Sequence, residues 1–89
     1  ITSNEPGFYK KNHFGIRIEN LIYIKKIKNK LQFIDLTLVP IEKTLIEKKF
    51  LTSSEKYWLN SYHQRVYKSL KKFMNKFELT QLKQACSNI

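Results

Sequence analysis

Apolar and polar residues alternate with period two from Phe14 onward. Phe14, Ile16, Ile18, Ile22 and Ile24 fall on one face, and Gly15, Arg17, Glu19, Leu21 and Tyr23 on the other. Just upstream, KKNH at 10–13 is polar and turn-like. A three-residue loop at 11–13 pairs Lys10 with Phe14. Tyr9 then faces Gly15, Gly7 faces Arg17, and Glu5 faces Glu19. The pattern predicts a β-hairpin within residues 1–30. Pro6-Gly7 is the place where a bulge would break that register.

Beyond about residue 31 the period changes. LTLVP at 36–40 predicts a short strand ended by Pro40, and IEKTLIEKKF reads equally as strand or irregular chain. Thr52 and Glu55 have the spacing of a capping box. Behind them Trp58, Leu59, Tyr62, Val66, Leu70, Phe73 and Phe77 recur at helical spacing, predicting an amphipathic helix over 53–74. A second helix over 78–86 would bury Leu79, Leu82 and Ala85. The aromatic stripe reads as core or interface, because helix turns interrupt it too often for a base-stacking platform. The expected fold class is α+β, with strands in residues 1–30 and a short strand plus helices in 31–89.

Composition narrows the classes. The chain has 89 residues, 42% of them hydrophobic, which suits one small folded domain or a piece of a larger one. It opens on Ile1 rather than Met and is read as a fragment or a processed product. Cys86 is the only cysteine, so neither an intrachain disulfide nor a Cys-based zinc site can form, and a reducing compartment fits. No apolar run reaches the roughly 18 residues of a membrane span, and the first residues lack the order of a signal peptide. A membrane partner is not expected.

The formal net charge is +10, from 17 Lys+Arg against 7 Asp+Glu. Only Arg17 and Arg65 are arginines; the lysines are dispersed in short runs such as Lys25-Lys26 and Lys71-Lys72. Base readers favour arginine for bidentate contacts. The charge therefore reads as a solvated surface, and nucleic-acid binding is the weakest of the functional readings.

Acid placed in so basic a chain asks for a reason. The hairpin register gathers Glu5, Tyr9, Arg17 and Glu19 on one face, with two carboxylates directly opposite. Like charges so placed destabilise a sheet. Either Arg17 or a lysine neutralises both, or a cation or shared proton sits between them. Two carboxylates at cross-strand distance can bridge a pair of divalent metals about 3.5–4 Å apart. The other chemistry-bearing residues read as structural. His13 is a surface turn residue, His63 a hydrogen-bonded helix histidine, Asp35 a loop or edge acceptor, Cys86 a small buried side chain, and Glu42, Glu47 and Glu78 solvated.

Three blocks together resemble the C-terminal end of the cytosolic-type Xaa-Pro aminopeptidases (aminopeptidase P). SNEPGFY followed by FGIRIEN is similar to the last two metal-ligand segments of that family, with the same step from Glu5 to Glu19. LTLVPIEKTLI resembles the start of its extra C-terminal subdomain, and LTSSEKYWLNSYHQRVYKSL its main helix. The match spans nearly the whole chain in the right order. Departures are the KKNH turn and the final QLKQACSNI, where Gln81 and Asn88 replace a common aromatic and proline.

The resemblance implies a pita-bread metallopeptidase fold. Residues 1–30 would end the catalytic domain and 31–89 would form the helical C-terminal subdomain. Glu5 would bind one metal and Glu19 would bridge two, usually manganese. Tyr9 and Arg17 would line the same cleft in orienting or substrate-facing roles. The substrate would be a peptide with proline second, the enzyme a cytoplasmic homodimer. The remaining ligands would lie upstream of Ile1, so the isolated piece should be inactive. A reading of a different class is a non-catalytic helical module that packs against the catalytic core or a second subunit.

Overall fold

In the computed structural model, which describes residues 1–89, the alternating segment forms five strands. They are β1 (Thr2–Asn4), β2 (Gly7–Lys10), β3 (Phe14–Arg17), β4 (Asn20–Ile27) and β5 (Lys30–Asp35). The predicted register holds. Lys10 pairs with Phe14, Tyr9 with Gly15 and Gly7 with Arg17, and the same offset continues from Asn4–Asn20 to Thr2–Ile22. No bulge intervenes. Between the two ladders the Ile18 N–H donates to the Pro6 carbonyl at 3.0 Å. Pro6 has no N–H of its own to return, so the pairing thins here without slipping. At the tip Asn12 takes the left-handed conformation (φ 62°), which Asn tolerates, and the His13 N–H closes on the Lys10 carbonyl at 3.0 Å.

A second hairpin follows that the sequence pattern did not foretell. Lys28 and Asn29 are both left-handed (φ 51° and 63°) and form a two-residue turn of the primed type. It pairs Ile27 with Lys30 and Ile22 with Asp35, giving strand order β1-β4-β5. The expected strand at 36–40 is corrected: the strand lies earlier, at Lys30–Asp35, and LTLVP has no ladder. The physical reason is that the Thr37 side chain takes the place a backbone carbonyl would need to continue the ladder. The Leu21 carbonyl accepts from the Leu36 N–H at 2.7 Å, and the Leu21 N–H donates to the Thr37 hydroxyl at 2.8 Å. The chain is peeled from the sheet at that point. Asn20, nearly buried, donates to Asp35 at 3.2 Å and ties β4 to β5. This sheet unit spans Ile1–Thr37.

The second unit, Leu38–Ile89, is helical. Its ambiguous segment proves irregular, with short 3₁₀ turns at Lys43–Leu45 and Lys48–Phe50. Helix α1 is Ser53–Leu70, opened by the predicted Thr52–Glu55 capping box. It stops short of residue 74 in a 3₁₀ turn, Lys71–Phe73, because Met74 turns extended and Asn75 starts a new cap. Helix α2 is Lys76–Ala85, and its own capping box, Asn75–Glu78, was not anticipated. Glu78 and Glu42 are solvated as expected, and each also satisfies backbone donors.

Tyr62, Val66, Leu82 and Cys86 form the core, with Leu38, Ile41, Leu70 and Met74 packed against it. Leu59 is buried as well, but past the early end of α1 the predicted stripe leaves the core. Phe73 and Phe77 are more than two-thirds exposed, and Trp58 is half-exposed, stacked on Tyr62 with ring centroids 5.5 Å apart. The irregular segment is strapped to the helices by polar bonds. The Tyr62 hydroxyl donates to the Val39 carbonyl at 2.8 Å, and Lys43 Nζ donates to the Gln84 and Ser87 carbonyls at the end of α2. A cation at a helix C-terminus complements its dipole.

His63 is fully buried, and its Nε2 accepts the Ile41 N–H at 3.0 Å. The proton therefore sits on Nδ1, which has no partner. Burial, and then the nearby Lys43 charge, push its pKa below the ordinary 6.5. The unfolded chain binds a proton that the folded chain resists. Stability is full above 6.5 and falls as pH drops below that value. The melting temperature of this chain is expected to drop between about pH 7.5 and about pH 5, and to drop much less in His63→Gln. Equal pH dependence in both proteins, followed by circular dichroism, would assign the effect to other groups.

Candidate metal centre

Period two and the unbroken offset place Ser3, Glu5, Gly7 and Tyr9 on one edge of a common face, with Gly15, Arg17 and Glu19 beside them. Glu5 and Glu19 occupy the thinned stretch between the two ladders. There each sits opposite the other by continuation of the register. Arg17, one rung away, reaches diagonally to Glu5, with Nη1 to Oε1 at 3.4 Å. The Ser3 hydroxyl donates to the other Glu5 oxygen at 2.6 Å.

The ion pair bears on one of the expectations. Arg17 neutralises one glutamate, not both, because its salt bridge to Glu5 is the only one in the chain. At this length, with both side chains about half-exposed, such a pair contributes no more than about 1 kcal/mol. Glu19, opposite Glu5 by continuation of the register, has no ion pair of its own. The arrangement leaves room in its charge balance for a positive ion.

The donors are all carboxylate oxygens, a hard set that suits Mg, Ca or Mn better than thiolate-seeking metals. The residues present fit one side of such a site. They do not complete it, since nowhere does the chain assemble three or more His, Cys, Asp or Glu able to hold a metal.

Tyr9 lies on the same face, across Gly7 and Gly15. By the register all four predicted site residues share one face, and Glu5 and Arg17 form an ion pair there. Ser3 was missed, although its place two residues before Glu5 on the same strand puts it on the same face. The reverse face is apolar and open, with the Phe8 and Phe14 rings 6.0 Å apart and Ile16, Ile18, Ile24 and Phe33 exposed along it.

Residues 29–89 match the family model described as the C-terminal region of peptidase M24. A probable Xaa-Pro aminopeptidase P of Sclerotinia sclerotiorum is 44% identical over 88 residues, covering 90% of this chain and 15% of that protein. One from Botryotinia fuckeliana is also 44% identical, with 14% of its length covered. Among solved structures, an X-prolyl aminopeptidase of Caenorhabditis elegans, a cytosolic enzyme with a di-nuclear active site, superposes with a TM-score of 0.81 at 41% identity. That superposition covers 98% of this chain and 16% of the worm enzyme. The chain thus spans about one-seventh of the relatives it matches, and its fold is that of their C-terminal part.

Proposed function

Because this chain belongs to the peptidase M24 C-terminal-region family, we propose that it is the C-terminal part of a dinuclear-metal aminopeptidase. That enzyme would remove the N-terminal residue from peptides with proline second. The observation that supports the reading is the shared offset of the two ladders, whose continuation puts Glu5 opposite Glu19, with Glu5 ion-paired to Arg17. Residues 1–30 are the end of the catalytic domain and 31–89 its C-terminal subdomain, although β5 belongs physically to the sheet.

Glu5 would hold one metal and Glu19 would be shared by both, and the metals would be manganese. When bound, a pair of such ions supplies an activated water at neutral pH and polarises the scissile carbonyl. Arg17 and Ser3 fix the Glu5 carboxylate, so that one oxygen lobe keeps its aim when the metal-free charge would otherwise swing it. Tyr9 faces the substrate side of the cleft. The remaining ligands come from the rest of the catalytic domain, which also covers the apolar reverse face. The enzyme would work in the cytoplasm, in line with the cytosolic worm relative, and as a homodimer.

The test compares two proteins on a peptide with proline second. The full-length enzyme is expected to cleave it, to lose activity on chelation and to regain it with manganese. The 89-residue chain alone is expected to show none. Chelator-resistant cleavage by the full-length protein would refute the reading.

The alternative, a helical interaction module, draws on the exposed Trp58, Phe73 and Phe77. It is compatible with a role in the dimer and does not compete for the carboxylates.

A further inference from the structure

Tyr9 owes its position to two missing side chains. A Cβ on Gly7 would lie 2.9 Å from the Tyr9 hydroxyl, 3.0 Å from Cε2 and 3.1 Å from Cζ. A Cβ on Gly15 would lie 2.9 Å from Cε1 and would overlap Cδ1 outright. Neither glycine is there for its backbone, since neither has a positive φ. The ring therefore lies down on the sheet, one edge over Gly15 and its tip over Gly7. Gly7 pairs with Arg17, and the next same-face position on its strand is Glu5. The hydroxyl is thus delivered to the rung adjoining the two carboxylates. It has no partner within the chain, and the residue is 64% exposed, so the group is free to meet something that enters the cleft.

We propose that Gly7 and Gly15 form a slot that holds Tyr9 flat and aims its hydroxyl at a substrate group beside the Glu5–Glu19 pair. Both glycines are positioning residues that act through Tyr9. This rests on the function proposed above. Any side chain at position 15 lifts the ring and swings the hydroxyl away. A displacement of about 1 Å at a reacting centre can cost up to about a hundredfold in rate.

The experiment is a double-mutant cycle in the full-length, manganese-loaded enzyme, read as kcat and KM separately, with metal content and Tm alongside. Gly15→Ala is expected to lower kcat/KM about tenfold, mainly through kcat, with metal content unchanged. In a Tyr9→Ala background the same change is expected to cost less than about twofold. Gly7→Ala, which meets only the tip of the ring, is expected to give a milder loss that also vanishes without Tyr9. It keeps the test alive if Gly15→Ala does not fold.

Equal losses with and without Tyr9 would overturn the proposal, as would an unchanged kcat/KM in both glycine variants. Coupling seen in Tm but not in kcat/KM would also overturn it, by making the slot structural only. A wild-type enzyme without metal-dependent cleavage would instead refute the function on which the proposal stands. The Tm cycle still reports the slot in that case.

Discussion

Glu19→Ala in the full-length enzyme is expected to lower kcat/KM by at least about a thousandfold, about 4 kcal/mol of transition-state stabilisation. Bound manganese should fall in parallel. The expectation follows from charge and register. Continuing the register of the two ladders puts Glu19 opposite Glu5, and Arg17 pairs with Glu5. A carboxylate that bridges two ions affects both when it is lost. Glu5→Ala removes a ligand of one ion and also strands Arg17, leaving an unpaired cation facing the site. It should abolish measurable turnover too, with less metal lost than in Glu19→Ala. Metal content by mass spectrometry and initial rates on one peptide suffice. Either variant with full activity and full metal content would end the assignment.

The largest stability effect belongs to Tyr62. Its ring is nearly buried in the helical core and stacked on Trp58, and its hydroxyl anchors the irregular segment through the Val39 carbonyl. Tyr62→Ala leaves a cavity and an unmatched carbonyl and should cost about 3–5 kcal/mol. A unit of this size commands only about 3–8 kcal/mol in total. The helical unit should therefore be largely unfolded near body temperature. Tyr62→Phe keeps the ring and should cost only about 1 kcal/mol. Urea denaturation followed at the helical circular dichroism signal separates the two. A loss under about 1 kcal/mol for Tyr62→Ala would mean that the core tolerates the cavity by collapse.

How far the sequence could be read follows from which constraints are local. The first hairpin was legible because a three-residue loop and strict alternation fix every pair between them, and Pro6 did not add a residue to either strand. α1 was legible at its start, where Thr52 and Glu55 form a cap from side chains three apart. The second hairpin was not legible, because its turn is Lys28-Asn29. A lysine in the left-handed region is uncommon, and no glycine advertised the turn. LTLVP has the pattern of a strand, but the Thr37 hydroxyl, not a backbone carbonyl, takes the Leu21 N–H and the ladder ends there.

The end of α1 was overrun for a similar reason. Phe73 and Phe77 keep helical spacing in sequence, but Asn75–Glu78 begins a new cap and breaks the phase. That box has the same logic as Thr52–Glu55 and was there to be read. The departure at Gln81 proves harmless to packing, since the residue is exposed while its neighbour Leu82 is buried.

At the site, the shared face was legible and the contacts were not. Period two puts Arg17 and both glutamates together, but it does not say which one a flexible guanidinium chooses. Nor does alternation reveal that Gly7 and Gly15 are occupied by a neighbour's ring. That is visible only once Tyr9 has a rotamer.

Glu5 and Glu19 are expected to share metal. The most direct test is anomalous scattering from crystals of the full-length enzyme grown with manganese. Two peaks about 3.5–4 Å apart are expected. The Glu19 carboxylate should be bound to both and the Glu5 carboxylate to one. Peaks bound to other carboxylates, with Glu5 and Glu19 pointing away, would contradict it.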